Sequence, residues 1–281
     1  MNTFDFSHLK GKVCAITGGA GVIGFSICDA LATTGIKTAI IDINLEAAEN
    51  MAKILSEKYG TICIGVQANV LDKASLIEAR KKIHERIGEL DFLINGAGGN
   101  SPKATTQVEQ ILENEPLEKS FFGLELEGFD KVFALNFTGT ILPTMVFAED
   151  MIKKGKGAIL NISSMNSFRP LTKIPAYSAA KASVNNFTQW LAVHMAKTGV
   201  RVNAIAPGFF LTNQNRFLLT DEKTGAPTAR GNKIIANTPI GKYGKPEDLQ
   251  GATLFLLSDL SYFITGIILP VDGGYSAYGG V

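Results

Sequence analysis

The chain has 281 residues, 46% of them hydrophobic, enough to bury the core of one large α/β domain or two small ones. Its 27 basic and 26 acidic residues leave a formal charge of +1, which offers no electrostatic footprint for nucleic acid or an anionic membrane. The partners to expect are small molecules and other copies of the chain. Cys14, Cys28 and Cys63 fall in apolar elements and read as buried thiols, and His8, His84 and His194 are too scattered to hold a metal.

No apolar stretch reads as long enough to span a bilayer, and MNTFDFSHLKGK lacks the apolar centre of a signal peptide, so a cytoplasmic location is expected. Linker-like, repetitive or low-complexity runs are missing from the sequence, which favours one domain over residues 1–281.

In chain order, Lys12 to Thr17 predicts a strand covered on both faces, and Val22 to Thr34 a helix that Gly35 stops. Between them Gly19, Gly21 and Gly24 spell G-x-G-x-x-G. In that setting the glycines let a pyrophosphate approach backbone N–H groups at the positive helix end, although a tight turn alone would use the same residues. A second strand, Thr38 to Ile41, ends at Asp42, eighteen positions past Gly24, a spacing that suits an acidic residue on the adenosine ribose. A 2′-phosphate there would meet like charge, costing roughly 4 kcal/mol at about 4 Å and an effective dielectric near 20. NAD is therefore expected over NADP. Asp42 could instead cap the next helix, as could Asn44.

That helix ends near Tyr59, and a third strand, Thr61 to Val66, leads to Ala68, Asn69 and Val70. Leu76, Ala79, Ile83 and Ile87 mark a helix that Gly88 closes, and Asp91 to Ile94 is a fourth strand leaving through Asn95, Gly96, Ala97 and Gly98. A polar, acidic insert, about residues 99–128, reads either as a lid or binding loop or as a surface excursion. Then comes a helix through Phe133, Phe137 and Phe147 that holds Asn136, whose plain alternative role is a buried amide bonded to backbone.

Gly157 to Ile162 predicts a strand ending in two hydroxyls, Ser163 and Ser164, and Pro175 announces a helix beginning near Tyr177. Tyr177 and Lys181 lie one turn apart on one face. An ammonium beside the phenol should lower its pKa from about 10, making Tyr177 a candidate general acid/base. Alone, such a pair is more often a surface contact. Val200 to Ile205 is a sixth strand, followed by Pro207, Gly208 and Thr212 and a polar substrate loop, about residues 208–245. Pro246 opens a helix ending near Ser258, and Ile267 to Val271 is the seventh strand.

Ser164 stands thirteen positions before the tyrosine of Tyr-x-x-x-Lys. With TGGAGVIG, Asn95-Gly96-Ala97-Gly98, Asn136, Pro207-Gly208-x-x-x-Thr212 and Asp272-Gly273-Gly274, it resembles the short-chain dehydrogenase/reductase family over essentially the whole chain. Departures are Val22 for the second glycine of the usual T-G-x-x-x-G-x-G, Gly96 for an asparagine, and Asn69 for an acidic residue. The resemblance implies a single-domain, Rossmann-type doubly wound α/β fold with seven parallel strands in the order 3-2-1-4-5-6-7, and usually a homotetramer. It implies that Ser164 polarises the substrate carbonyl, Tyr177 transfers the proton, Lys181 also binds the nicotinamide ribose, and Asn136 holds a helix bend and water on the proton path. Contacts to NAD are implied for Thr17, Gly18, Gly19, Gly21, Val22, Ile23, Gly24, Asp42, Asn69, Val70, Asn95, Gly96, Ala97, Gly98, Tyr177, Lys181, Pro207, Gly208 and Thr212.

The stretches GGNSPKATT, SSMNSFRPLTKIPAYS and FFLTNQN look like those of bacterial sugar-acid members that interconvert D-mannonate and D-fructuronate. Asn100, Asn166, Asn213, Gln214 and Asn215 would suit a polyol, and Arg169, Lys173, Lys103 or Arg216 its carboxylate. Another polyol or gluconate dehydrogenase, a 3-oxoacyl reductase, and a non-catalytic NAD-binding sensor stand as alternatives.

Overall fold

Strands β1 (Val13–Thr17), β2 (Lys37–Asp42), β3 (Cys63–Gln67), β4 (Phe92–Asn95), β5 (Gly157–Ile162), β6 (Val200–Pro207) and β7 (Ile268–Val271) form one sheet in the order β3-β2-β1-β4-β5-β6-β7. Every pairing is parallel. The structure, a computed structural model, describes residues 5–211, 219–221 and 224–280; the candidates Thr212, Asn213, Gln214, Asn215 and Arg216 lie outside them.

All residues of β1, β4 and β5 are buried, because helices cover both faces. Alternate strand residues feed two cores. On one face Cys14, Ile16, Ile40, Ile94 and Leu160 meet α1 (Val22–Thr33), α2 (Leu45–Tyr59) and α8 (Gln250–Leu257). On the other, Ala15, Ile41, Leu93 and Val202 meet α3 (Lys73–Arg86), α5 (Gly139–Lys154) and α6 (Pro175–Met195). Among the described residues, α4 (Leu126–Phe133) and α7 (Ala229–Ala236) are further α-helices. Cys14, Cys28 and Cys63 are free thiols that burial pushes above their ordinary pKa. Chain order reverses between β1 and β4, which opens a crevice at the carboxyl ends of these strands.

Two features go beyond the sequence reading. α4 and α5 are joined by a π-helical turn, Ala134–Thr138, into one 29-residue helix, Leu126–Lys154, whose most apolar 18-residue window has a mean hydropathy of 1.3, as the core helix of a globular domain can also have. Half of that window is buried in the protein, with Phe147 and Met151 in the core. Second, the insert is built rather than loose. It makes three single 3₁₀ turns and pins itself to the loop before α6 through Thr106 N–H to the Lys173 carbonyl, 2.9 Å.

α3 is tied to α5 by a buried carboxylate. Asp150 accepts from Arg80 through Nε (3.0 Å) and Nη2, from His84 Nε2 at 2.6 Å, and from Leu90 N–H at 3.1 Å. Burial pushes this carboxyl up, but Arg80, His84 and the Leu90 amide outweigh it and hold the pKa below the usual range.

Candidate functional site

The crevice is a cleft of ≈ 450 Å³ lined by Gly18, Gly21, Val22, Ile23, Gly24, Asp42, Gly96, Ala97, Gly98, Gly99, Ile162, Tyr177, Lys181, Gly208, Phe209 and Phe210. One wall is the turn from β1 into α1. Gly18 has φ +65°, and a Cβ there would sit 2.8 Å from Ala97 Cα. A Cβ on Gly24 would lie 2.4 Å from the Gly18 carbonyl oxygen, so only glycine lets α1 start this close to the turn. Thr17 secures the facing wall, its hydroxyl accepting from the N–H groups of Gly96 (3.2 Å) and Ala97 (3.3 Å).

Gly21 is the N-cap of α1, which has no side-chain cap and no acidic residue in its first turn. Its leading N–H groups thus have neither intrahelical partners nor an acid within the helix itself. Asp42 sits beside them, accepting from Ala20 N–H (3.2 Å) and Asn44 N–H (3.1 Å). Asn44 is the cap of α2, through Ala47 N–H, which leaves Asp42 to the cleft. Unopposed donors, a cradle that a Cβ would fill and an acid at the β2 end fit a dinucleotide's diphosphate and ribose.

At the other end, β5 delivers Ser164, whose Oγ accepts from Asn166 N–H at 3.2 Å. Ser163 turns away, bonding Asn185 and Ser167. Tyr177 sits in the first turn of α6 and packs against the small apolar cluster of Ala104, Val132, Ala176 and Ala180. Lys181 is buried, donates to the Ile162 carbonyl at 2.8 Å, and holds its ammonium 5.7 Å from the Tyr177 ring centroid. Asn136, in the π turn, donates to the carbonyls of Gly99 (2.7 Å) and Val132 (2.8 Å) and accepts from Gly99 N–H (3.2 Å). A Cβ on Gly98 would come 2.7 Å from Asn136 Oδ1 and 3.2 Å from Lys181 Nζ, so that glycine lets the amide and the ammonium flank one point of the cleft.

The electrostatics correct one expectation. Burial raises the Tyr177 phenol above its ordinary value, with the Ser164 hydroxyl pulling it partly back. Burial also lowers Lys181 to about 8. Both groups share one desolvated site, and the ammonium faces the Ile162 carbonyl, so its pull does not bring the phenol down.

Several expected cofactor contacts do not line the cleft. Thr17 and Gly19 lie under the turn, a Cβ on Gly19 meeting Ile40. Asn69 turns its side chain to Leu71 N–H, and Val70 packs beside Gly139. Asn95 is buried between Thr144 (2.9 Å) and Asn161 (2.8 Å), and Pro207 ends β6 beneath Gly208. Conversely, Gly99, Ile162, Phe209 and Phe210 line it and were not read from the motifs. The aromatic pair after Pro207-Gly208 was a usable signal.

Among the substrate candidates, Asn166 is buried two residues past Ser164, with an Oδ1 that has no partner among the described residues. Asn100 is exposed and bonded to Thr105 within the insert. Lys103 is held by Glu125 (2.8 Å) and Glu127 (2.7 Å), and Arg169 donates to the Tyr278 carbonyl. These three are committed to neighbours, while Lys173 anchors the insert through the Gln107 carbonyl at 2.7 Å.

A family model described as Enoyl-(Acyl carrier protein) reductase matches residues 18–276. An uncharacterized oxidoreductase of Haemophilus influenzae is 50% identical over 284 residues, covering 100% of this chain and 99% of its own. The uncharacterized oxidoreductase UxuB of Bacillus subtilis is 51% identical over 276 residues, 98% of each chain. A solved structure from Haemophilus influenza with bound NAD, provisionally named a D-mannonate oxidoreductase, superposes with a TM-score of 0.93 at 48% identity, covering 98% of this chain and 99% of that one.

Proposed function

Because the chain belongs to the short-chain dehydrogenase/reductase family, we propose that it is an NAD-dependent oxidoreductase that interconverts D-mannonate and D-fructuronate. The observation that carries this reading is the meeting of Ser164, Tyr177 and Lys181 at one end of a cleft whose other end is built for a dinucleotide. Gly18, Gly21, Val22 and Gly24 would hold the diphosphate, and Asp42 the adenosine ribose. Bound there, the cofactor supplies hydride exchange with a carbonyl or alcohol carbon.

The protein's own part is proton handling and orientation. Ser164 Oγ donates to the substrate oxygen, and Tyr177 gives that oxygen a proton in reduction or takes one in oxidation. Lys181 and Asn136 line the inner side, the amide fixing the β4 exit through both polar atoms of Gly99. The orphaned Asn166 Oδ1, buried beside Ser164, is available to accept from a hydroxyl of a polyhydroxy substrate. A homotetramer would cover the exposed Met145, Trp190 and Val193 of α5 and α6.

Turnover of D-mannonate, D-gluconate and D-mannitol with NAD, followed by absorbance of the reduced nicotinamide, tests the proposal. D-mannonate should be the best of the three, and a preference for mannitol would overturn the sugar-acid reading while leaving the dehydrogenase. Cofactor choice is a separate expected outcome: NAD should bind more tightly than NADP, and Asp42→Ala should narrow the gap by weakening NAD and removing the repulsion of a 2′-phosphate. Equal affinities in the unaltered protein, measured by titration, would show that Asp42 does not meet the ribose.

A further inference from the structure

Beside the cofactor cleft lies a second pocket of ≈ 340 Å³ in which three cations, Lys173, Arg230 and Lys233, face a single acid, Glu109. The two spaces share Phe209, which lines both and packs edge-to-face against Tyr275 with centroids 5.2 Å apart. The elements that meet here are far apart in sequence. Glu109 belongs to the insert, Lys173 to the loop that runs into Tyr177, and Arg230 and Lys233 to one face of α7, three residues apart. Glu109 is ion-paired with Lys233. That bond above all, with the charges of Lys233, Lys173 and Arg230, holds its carboxyl below the usual range against the opposing effect of burial. Arg230 has no ion-pair partner among the described residues, so the pocket keeps an excess of positive charge with a planar fork to spare.

We propose that this pocket receives the carboxylate of the substrate, with Arg230 and Lys233 as its binding groups, and that Glu109 is an internal anion which the substrate displaces. The inference rests on the sugar-acid reading above and deepens it by assigning residues that the sequence did not single out. Arg230 pairs with the incoming carboxylate, Lys233 exchanges Glu109 for it, and Lys173 stays on the Gln107 carbonyl, holding the insert in place. A neutral polyol gains nothing from the cations and leaves the Glu109–Lys233 pair intact. Selectivity for acids over neutral sugars therefore comes from a competition between two carboxylates for one lysine.

Steady-state kinetics with D-mannonate and D-mannitol on the NAD-loaded protein and its variants provide the test. Arg230→Met should raise the KM for D-mannonate about five- to tenfold with a much smaller change in kcat, the low end for a charge-assisted bond because the pocket is open to solvent and salt. Arg230→Lys should recover part of this loss. Glu109→Gln should lower the same KM severalfold, and neither change should move the constants for mannitol. D-mannonate turnover whose KM ignores both Arg230→Met and Glu109→Gln would overturn the pocket and leave the enzymatic reading standing. If D-mannonate is not turned over, calorimetric titration with D-mannonate, D-gluconate and tartrate separates the two ideas. Binding that Arg230→Met weakens and Glu109→Gln strengthens would uphold the pocket and remove D-mannonate as substrate. Binding of none of the three acids would overturn the pocket.

Discussion

Tyr177→Phe should lower D-mannonate oxidation and D-fructuronate reduction by about 10² to 10⁴-fold, the span typical of a lost general acid/base, while NAD still binds. The substitution keeps the ring against the cluster that includes Val132, Ala176 and Ala180 and removes only the hydroxyl, so the fold of α6 has no reason to change. Ser164→Ala, which deletes one donor to the substrate oxygen, should cost about 10² to 10³-fold. Because the phenol is raised, it is a proton donor through the neutral range, and reduction should hold up until alkaline pH. Oxidation, which needs the phenol to accept, should climb with pH over the same range. Single-turnover rates of the two variants, with NAD affinity measured beside them, decide the matter; undiminished turnover by Tyr177→Phe would remove it from the mechanism.

Lys181→Met should abolish most turnover yet make the unliganded protein more stable at pH 7. In the unfolded chain Lys181 keeps its ordinary pKa near 10.5, whereas burial lowers it to about 8 in the fold. Between these values the unfolded chain binds the extra proton, so stability is missing below about 8 and is recovered as pH rises toward 10.5. The deficit at pH 7 is of order 3 kcal/mol. Methionine relieves it but leaves the Ile162 carbonyl without its donor, about 1 kcal/mol, so the net gain should be about 2 kcal/mol at pH 7 and should shrink by pH 9.5. Thermal unfolding of both proteins at the two pH values measures this, and an advantage of equal size at both would show that Lys181 is not charged at a cost in the fold.

What the sequence made visible was whatever depends on neighbours in the chain. Continuous apolar runs such as Val13–Thr17 and Gly157–Ile162 announce strands buried on both sides, and the glycines around Gly21 announce the turn. Four-residue spacing placed Lys181 near Tyr177, but the direction of its ammonium depends on the Ile162 carbonyl, nineteen residues away in another element. Asn69 and Asn95 sit in cofactor motifs, yet their side chains answer to Leu71 and to Thr144 and Asn161. Arg80, His84 and Asp150 look like ordinary charges on helices, and only the packing of α3 on α5 turns them into one buried network. Glu109 and Lys233 are 124 positions apart, so no local pattern could join them.

The π turn at Ala134–Thr138 has a consequence for the hydrophobic stripe of the helix that contains it. A straight α-helix repeats every 3.6 residues, so one extra residue in a single wide turn slips the phase of everything downstream by about 100°. Upstream of the slip, Val132 packs toward Ala176 and Ala180 of α6; downstream, Val146, Phe147 and Met151 face the sheet. No single periodic stripe could serve both surfaces. The slip also interrupts the ladder of backbone bonds, and the side chains near it take up the slack: Asn136 reaches back to the Val132 carbonyl, and the Thr140 hydroxyl donates to the Asn136 carbonyl at 2.9 Å. The buried amide at the inner end of the cleft is thus the residue standing where two helical phases are reconciled.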